Sequence, residues 1–444
     1  QSATHPLLNQ FKGVIEAREG NFSVALKHLE TAIQNGRNDP LARLLAGFSA
    51  YQLEDYAATT RHLSMIASDL PPSHAALRML ANSLLQQGKN EEANQAKTKV
   101  QEAKIQQKKI EDTLNEIEDK FTDLLYNIPN VPHDSVPSGN SEKDNEEICN
   151  EGVIPNLHEG AKPHWELIKE KDIVDFETGV KITGAGFPVY KGKGAKLQRA
   201  LINFFLDEAD QGGYAEVIPP LLINESSGIG TGQLPDKEGQ MYHIAGDDLY
   251  LIPTAEVPIT NIYRDLILKE DELPKKNCGY TPCFRREAGS YGKEVRGLNR
   301  LHQFDKVEIV QVVHPDKSYD VLNEMVEHVK ELVRKLKLPF RILRLCGGDL
   351  SSTSALTFDF EVYSTAQERW LEVSSVSNFE TYQSQRLKLR FRKGIGKPQL
   401  AHTLNGSALA LPRIMAALIE NNQNENGDIL IPEVLQKYTG FDII

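Results

Sequence analysis

Apolar and polar residues alternate most regularly over residues 355–364, ALTFDFEVYS, in which every second side chain from Leu356 to Val362 is apolar. A period of two predicts a β-strand with one buried and one polar face. Strands of the same kind are expected at 247–258, 280–287 and 369–378. Helical spacing of apolar residues predicts helices at 195–209, 319–336 and 407–422. Short strands with few helices between them favour an antiparallel sheet, so the expected fold class of residues 162–444 is α+β.

A repeat of about 34 residues runs through the first part of the chain. Small or turn-forming residues recur at this spacing, at Gly13, Gly47 and Ala81 and again at Gly20, Glu54 and Gly88. The period resembles the tetratricopeptide repeat (TPR), in which small residues lie where paired helices touch. One helix pair cannot bury its apolar face alone, so about three stacked units are expected. We therefore predict an all-α, TPR-like array over 1–104, which serves either as a peptide-binding groove or as a structural spacer.

A long helix is predicted from about Asn90 to Tyr126. A seam of heptad type follows its second half, at Ile110, Leu114, Ile117, Phe121 and Leu124. Three prolines at positions 129, 132 and 137 forbid continuation of the helix. The polar, acidic stretch 141–152 is then expected to be an exposed linker. The seam needs a partner, which must be either the repeat array or another subunit.

Composition limits the classes of function. The 444 residues carry a formal net charge of −12, which argues against indiscriminate nucleic-acid binding but allows a local basic patch. No segment approaches the length of a membrane span, so no membrane association is expected. The four cysteines lack zinc-ligand spacing, so we expect reduced thiols, no zinc and a cytoplasmic setting. Because the first residue is Gln1 rather than Met, we expect a processed or truncated product.

No glycine-rich loop of the Walker type is present, so a bound nucleotide would need arginines to hold its phosphates. The candidate arginines and a candidate ring for stacking on a purine are Arg285, Arg300, Arg413 and Phe304. Glu361 and Glu372 lie on the polar side of two strands and could bind Mg²⁺, which prefers oxygen ligands. Each of these residues alone has a simpler explanation as a surface ion pair or a core ring.

Several motifs follow one another in a fixed order along residues 162–444. The first set is GGYAEVIPPLLIN (212–224), FRREAG (284–289) with RLHQFDKVE (300–308), and LNGSALALPRIMAALIEN (404–421). The second set is TGQLP (231–235), LIPTAEVP (251–258) and EVSSVSN (372–378). Together they resemble the catalytic domain of the class II aminoacyl-tRNA synthetases, and specifically of the bacterial seryl-tRNA synthetases. The resemblance implies an antiparallel sheet flanked by helices and a homodimer built through 212–224. It also implies the partners ATP, L-serine and tRNA(Ser).

The same resemblance assigns roles to individual residues. ATP would be bound by Arg285, Arg286, Glu287, Phe304, Glu372, Val373, Ser374, Ser375 and Arg413. Of these, Arg285, Glu287 and Arg413 would act in catalysis, while Glu372 and Ser375 would hold Mg²⁺. Serine would be bound by Thr254, Ala255, Glu256, Glu308 and Ser407. The division of the serine ammonium and hydroxyl between Glu256 and Glu308 stays open.

The implied reaction needs no protein nucleophile. The serine carboxylate attacks the α-phosphorus of ATP in line and displaces pyrophosphate, so positioning and charge stabilisation supply the rate. A buried Glu308 would penalise a substrate that lacks the hydroxyl, and a tight pocket would exclude the extra methyl of threonine.

The N-terminal part departs from this family, which normally opens with a helical hairpin that grips tRNA. Only residues 108–137 resemble that hairpin, so 105–161 is interpreted as a remnant of the arm followed by a Pro-rich, acidic linker. Impaired tRNA selection with intact amino-acid activation is therefore expected. The basic run 385–397 is either a solvated strand and loop or a contact for tRNA. Two other functions remain open: transfer of the activated amino acid to a carrier protein, and a scaffold in which the repeats bind a protein.

Overall fold

The computed structural model describes residues 5–70, 75–287 and 296–444. Contacts divide the chain into two compact units, with the boundary between Leu124 and Leu125. We call them the helical unit and the sheet unit. Within the described residues, every strand lies in the sheet unit, and no helix is long and apolar enough to cross a membrane.

The helical unit consists of consecutive helices. They are α1 (Pro6–Arg18), α2 (Phe22–Gln34), α3 (Pro40–Gln52), α4 (Tyr56–Leu63), α5 (Ala75–Gln86) and α6 (Asn90–Tyr126), whose last two residues belong to the sheet unit. The first residues of α2, α4 and α6 follow one another at about 34 residues, the spacing of the sequence repeat. The expectation of an all-α array is confirmed, while the TPR assignment itself stays a prediction.

Paired helices of this unit touch at two of the repeated glycines, Gly13 and Gly47. A Cβ atom at Gly13 would overlap the side chain of Leu29, and one at Gly47 would overlap that of Leu63. Both leucines are fully buried. Because glycine has no side chain, the backbones approach closely enough for each leucine to fill the space between two helices. Gly13 and Gly47 are therefore packing positions, whereas Gly20 and Gly88 have a positive φ and open space where a Cβ atom would lie.

The heptad seam of α6 is exposed. Its residues Ile110, Leu114, Ile117, Phe121 and Leu124 are between 50% and 67% exposed. The two partners considered for this seam are the repeat array and another subunit. The repeat array is excluded, because nothing in the described residues buries these side chains.

The sheet unit contains nine further α-helices within the described residues. They are α7 (His164–Glu170), α8 (Phe176–Ile182), α9 (Gly192–Gln211), α10 (Glu225–Thr231), α11 (Glu256–Asn261), α12 (Ser318–Lys335), α13 (Tyr382–Arg386), α14 (Leu411–Asn421) and α15 (Glu433–Thr439). The first strands are β1 (Glu146–Glu151), β2 (Val174–Asp175), β3 (Val189–Tyr190), β4 (Ala215–Glu216), β5 (Leu222–Ile223), β6 (His243–Ile244), β7 (Leu249–Leu251) and β8 (Ile267–Lys269). The later strands are β9 (Lys275–Phe284), β10 (Gln303–Val313), β11 (Phe340–Arg344), β12 (Leu356–Ser364), β13 (Arg369–Glu380), β14 (Arg390–Arg392), β15 (Gln399–Leu400) and β16 (His402–Ala410).

Eight strands form the main sheet in the order β1-β11-β12-β13-β16-β10-β9-β4. All neighbours are antiparallel except β4 and β9. The predicted antiparallel α+β fold is therefore confirmed. On β12, the apolar residues Leu356, Phe358, Phe360 and Val362 join a core that also contains residues of α9, α12 and α14. The alternate residues of the same strand lie on the opposite face, which carries the candidate site.

Three local predictions are wrong. Residues 407–410 belong to β16, and the helix predicted from 407 begins at Leu411. The strand predicted over 247–258 ends at Leu251, and a helix starts at Glu256. The acidic stretch 141–152 is not only a linker, because β1 within it pairs with β11 at the sheet edge.

The edge strand β1 is held by ion pairs between its glutamates and basic residues of the sheet unit. Glu146 pairs with Arg344, and Glu147 lies 3.5 Å from Arg341. Glu151 lies 2.8 Å from Arg334 of α12. These contacts explain why an acidic sequence is ordered here.

Candidate active site

The candidate site begins where β9 and β10 run side by side. Phe304 on β10 is the register partner of Cys283, and Arg285 directly follows β9. The guanidinium carbon of Arg285 lies 5.3 Å from the centroid of the Phe304 ring. Arg285 Nε donates a hydrogen bond of 3.3 Å to the main-chain carbonyl of Pro253. A guanidinium held against an aromatic ring suits a ligand that has both phosphate and a base.

The next residues of this motif take different positions. Glu287, with a side chain 12% exposed, forms an ion pair with Arg300. Arg286 is exposed and does not line the cavity, and its main-chain N–H donates 2.8 Å to Gln240. The structure therefore does not bring the side chain of Arg286 to the site, in contrast to the expected role in ATP binding. Residues 288–289, which end the FRREAG motif, lie outside the described residues.

Arg413 reaches the site from the first turn of α14. Its Nη1 donates 2.7 Å to the main-chain carbonyl of Glu372 and its Nε donates 2.9 Å to that of Asn299. Nη1 also lies 3.6 Å from the carboxylate of Glu372. Because β16 leads directly into α14, the strand–helix junction fixes this guanidinium beside β13.

Glu372 and Ser375 present oxygen atoms to the cavity. Ser375 Oγ lies 3.5 Å from Glu372 Oε1, and the glutamate side chain is 50% exposed. A carboxylate and a hydroxyl fit Mg²⁺, which in nucleotide sites takes its remaining ligands from phosphates and water. No group of three His, Cys, Asp or Glu side chains that could hold a metal occurs in the described part of the chain. Glu361, the other suggested Mg²⁺ ligand, is instead paired with Arg341 and does not line the cavity.

Val373 and Ser374 connect this part of the site to the core. Val373 is 1% exposed and belongs to the main core cluster. Ser374 Oγ donates 2.5 Å to the main-chain carbonyl of Ser407. The two residues therefore fix β13 against its neighbours while Glu372 and Ser375 face the cavity.

A second group of polar side chains lines the same cavity but is nearly inaccessible to solvent. Thr254, Lys306 and Glu308 are 3%, 6% and 1% exposed. Lys306 Nζ lies 2.5 Å from Glu308 Oε2 and donates 2.9 Å to Thr254 Oγ1. The hydroxyl of Thr254 donates 3.2 Å to Glu308 Oε2. Glu308 is also the register partner of Ser407 on β16.

Sequence reasoning missed Lys306. The signal was available, because Phe304, Lys306 and Glu308 are two residues apart on one strand and share a face. A buried lysine is rare unless it is paired, and here it neutralises Glu308.

Glu256 has a different environment from Glu308. It is 5% exposed, and its Oε1 accepts a hydrogen bond of 2.6 Å from Gln383 Nε2. Gln383, which sequence reasoning also missed, accepts 2.8 Å from the hydroxyl of Thr403. Burial, reinforced by the nearby charge of Glu308, raises the pKa of Glu256 to about 7. This carboxyl group therefore lies between its neutral and charged forms near neutral pH.

Ala255, the remaining predicted serine ligand, is fully buried and does not line the cavity. It packs with Ile259 and Val310 in a small apolar cluster. Its place between Thr254 and Glu256 makes it a packing residue of the turn that presents both polar side chains.

The two groups together line one cavity of about 670 Å³. Of the predicted residues, those whose side chains or main chain line it are Thr254, Glu256, Arg285, Glu287, Phe304, Glu308, Glu372, Val373, Ser374, Ser375, Ser407 and Arg413. Ligand sites of enzymes commonly enclose about 300–1,000 Å³, so the cavity has room for a nucleotide and a small amino acid.

Comparison with known proteins gives consistent matches. Residues 242–422 match the family model described as the tRNA synthetase class II core domain (G, H, P, S and T). A serine–tRNA ligase from Salinibacter ruber is 51% identical over 374 residues, which cover 84% of this chain and 87% of the relative. A serine–tRNA ligase from Halothermothrix orenii is 48% identical over 338 residues, which cover 76% of this chain and 80% of the relative.

Solved structures agree with these matches. The seryl-tRNA synthetase of Pyrococcus horikoshii, crystallised with ATP, superposes with a TM-score of 0.74 and 29% identity, covering 97% of this chain and 98% of that one. The cytoplasmic serine–tRNA ligase of Naegleria fowleri, crystallised with AMP, gives a TM-score of 0.71 and 25% identity, and the match covers 91% of this chain and 92% of that one.

Proposed function

This chain belongs to the serine–tRNA ligases among the class II tRNA synthetases, and we propose that it activates L-serine with ATP and then transfers the seryl group to tRNA(Ser). The observation that best supports the proposal is the meeting of two groups in one cavity. Arginines suited to phosphate lie beside a buried polar pocket of the size and chemistry of a small amino acid.

Activation is a single in-line displacement. A carboxylate oxygen of serine bonds to the α-phosphorus of ATP while the bond from that phosphorus to the bridging oxygen breaks. Pyrophosphate leaves with the electron pair, and the product is seryl-adenylate. The attacking carboxylate is already ionised, so no side chain has to remove a proton. Arg285 would balance charge on the α-phosphate and Arg413 would hold the γ-phosphate.

Two further groups would complete nucleotide binding. Phe304 offers its ring for stacking on adenine, with Arg285 held against it. Glu372 and Ser375 would hold Mg²⁺, which neutralises phosphate charge when it is bound. Glu287, paired with Arg300, would contribute hydrogen bonding at the adenine.

Serine recognition divides between the two buried glutamates. Glu308 is already neutralised by Lys306, whereas the hydrogen-bond partner of Glu256 is the uncharged Gln383. Glu256 is therefore the better ligand for the serine ammonium, and Glu308 with Thr254 is the better ligand for the hydroxyl. Alanine would leave buried polar groups unpaired, at a cost of about 1–3 kcal/mol.

Exposed surfaces of the sheet unit would serve the transfer step and the assembly. Homodimer formation through 212–224 is supported by exposed apolar residues there, including Ile218 at 87% and Leu222 at 41%. Arg392 and Lys397 of the basic run 385–397 are exposed, which favours contact with tRNA over a core role. A cytoplasmic location is part of the same proposal, since charged tRNA is used in translation. Binding of a protein or peptide by the helical unit remains a prediction.

Pyrophosphate exchange into ATP tests the activation step. Purified protein is assayed with serine, threonine, alanine and glycine in the absence of tRNA. We expect exchange with serine, loss of exchange in Arg285→Ala and Glu308→Ala, and retention in Arg344→Ala. Arg344 is a matched control, because its ion pair with Glu146 lies at the far edge of the sheet. No exchange with any of the four amino acids from folded protein would refute the proposal.

A second assay identifies the acceptor. Seryl-adenylate formed in place is offered tRNA(Ser) or a carrier protein, and the acylated product is measured. Seryl-tRNA is the expected product. Seryl transfer to the carrier protein alone would replace the second half of the proposal with the carrier-protein function.

A further inference from the structure

A buried pair of ionisable side chains lies outside the cavity and takes no part in the steps above. His164 is the first residue of α7 and Glu420 lies in the last turn of α14, and both are 0% exposed. His164 Nδ1 lies 2.7 Å from Glu420 Oε1. The main-chain N–H of His164 donates 2.9 Å to the same oxygen.

Hydrogen bonds define the protonation state of the imidazole. The main-chain N–H of Leu298 donates 2.8 Å to His164 Nε2, which must therefore carry a lone pair. Nδ1 then carries the proton and donates it to Glu420, so the ring is neutral. Gly297 is needed beside this contact, because a Cβ atom there would overlap the imidazole ring.

Glu420 reaches the same segment by a second route. Its Oε1 accepts 3.0 Å from Gln367 Nε2, while Gln367 Oε1 accepts 2.8 Å from the side chain of Asn299. The hydroxyl of Ser364 donates to Glu420 Oε2. The buried carboxylate is thus surrounded by neutral donors, which is how an ionised group is tolerated away from water.

The opposite side of this segment is held by Arg413. Its Nε donates 2.9 Å to the carbonyl of Asn299, as described above. Arg413 lies near the start of α14 and Glu420 near its end. Both ends of this helix therefore hold the segment 298–300 in place. Arg300, the last residue of the segment, pairs with Glu287 at the cavity wall.

We propose that His164, Glu420 and Gln367 are positioning residues for ATP. They fix the main chain of Leu298 and the side chain of Asn299. Through this segment they position the guanidinium of Arg413 and the ion pair of Arg300. None of the three touches the nucleotide. The inference rests on the proposed function, because it assigns these residues to the ATP half of that site.

The test measures KM for ATP and KM for serine separately in pyrophosphate exchange by the full chain. His164→Ala, Glu420→Ala and Gln367→Ala should each raise KM for ATP about tenfold, the size expected for one lost buried hydrogen bond. KM for serine should stay within about twofold, because the serine half of the site has no contact with this network. Glu420→Gln keeps an acceptor for His164 and should bring KM for ATP back to within about threefold of wild type.

His62→Ala is the matched control. His62 is also buried and lies 3.1 Å from a glutamate, Glu30, but in the helical unit. Both KM values should be unchanged in this variant.

Three outcomes would overturn the proposal. These are a lower kcat with an unchanged KM for ATP, an equal rise of both KM values, and Glu420→Gln as impaired as Glu420→Ala. If the two buried variants do not fold, Gln367→Ala decides alone, since its position is only half-buried. An unchanged KM for ATP in that variant then refutes the inference.

Failure of the proposed function would look different. Wild-type protein without serine-dependent exchange would refute the activity rather than the positioning network. Calorimetric titration with ATP would then replace the kinetic assay. A weaker Kd for ATP in Gln367→Ala would support the network, and an unchanged Kd would overturn it.

Discussion

Replacing Lys306 by methionine tests the electrostatics of the buried pocket that is proposed to bind serine. Lys306 and Glu308 are 6% and 1% exposed, so solvent screens their interaction very little. Methionine keeps a long apolar side chain but removes the ammonium that lies 2.5 Å from Glu308. Breaking a buried ion pair by removing one partner costs about 3–5 kcal/mol, because an uncompensated charge is left behind. We expect the free energy of unfolding of Lys306→Met to fall by about this amount.

A double-mutant cycle separates the charge from the packing. Glu308→Gln alone leaves the ammonium of Lys306 buried without its partner and should also be strongly destabilising. In Lys306→Met/Glu308→Gln both charges are gone, and the remaining loss should be about 1–2 kcal/mol for altered hydrogen bonds. The double variant should therefore be more stable than Lys306→Met, with a coupling free energy of at least about 2 kcal/mol.

Urea unfolding of the full chain, followed by tryptophan fluorescence, measures these differences. The chain has 2 tryptophans, Trp165 and Trp370, and both lie in the sheet unit, so the signal reports that unit. Lys335→Met is a matched control, because its lysine pairs with Glu208 at the surface and its side chain is 38% exposed. That variant should lose no more than about 1 kcal/mol. Additive effects of the two pocket substitutions, within about 0.5 kcal/mol, would refute the electrostatic reasoning.

Three other predictions address pH, tRNA and the helical unit. Because burial raises the pKa of Glu256 to about 7, protonation at lower pH should weaken binding of the serine ammonium. Log kcat/KM for serine in pyrophosphate exchange should then rise with a slope of about one up to that pKa and level off above it. A pH profile that is flat from pH 5 to 8 would contradict the assignment of the serine ammonium to Glu256. The same would follow if the rise of log kcat/KM with pH persisted in Glu256→Gln. Replacing Arg392 and Lys397 by glutamate should lower kcat/KM for tRNA(Ser) about tenfold or more at low salt. Serine activation should be preserved, because it uses no tRNA. Equal losses in the aminoacylation and activation assays would contradict this prediction. Gly47→Ala should destabilise the helical unit by about 1–3 kcal/mol, because the added Cβ overlaps Leu63. Circular dichroism should then show earlier loss of helix with unchanged tryptophan unfolding, and an unchanged helix transition would refute the packing argument.

The pattern of apolar residues predicted the elements that have one buried face. The strand expected at 355–364 is β12, and the helix expected from Asn90 to Tyr126 is α6. The boundary at Leu411 could not be predicted in the same way. Residues of β16 are buried on both faces, so no alternation distinguishes them from the buried helix that follows.

The edge strand β1 shows a second limit of local patterns. Its glutamates look like those of a solvated linker because their partners are far away in sequence. Arg341 and Arg344 lie on β11, and Arg334 lies on α12. Only the folded chain brings these charges together, so composition alone gives the wrong result.

Site residues that belong to a sequence motif could be predicted. Site residues that are defined only by tertiary contacts could not. Arg285, Glu308 and Arg413 lie at the cavity as the resemblance implied. Gln383 and His164 contact residues more than a hundred positions away in the sequence, Glu256 and Glu420. No local pattern distinguishes such residues from ordinary polar residues at the end of a helix.

One strand sets the separation between the two halves of the site. Phe304, Lys306 and Glu308 share a face of β10, and a strand advances about 3.3 Å per residue, so the Cα atoms of Phe304 and Glu308 are about 13 Å apart. Val307, between them, points into the core and is 0% exposed. A slip of one residue would bury the polar side chains in that core and expose Val307. Burial of Val307 therefore holds the register, and the register places the residues proposed to bind the nucleotide and serine at a fixed distance along β10. The pairing of β10 with β9 is regular over these residues, so β9 maintains their spacing. The pairing of β10 with β16 shifts register between Lys306 and Glu308, and this irregularity brings Ser407 opposite Glu308.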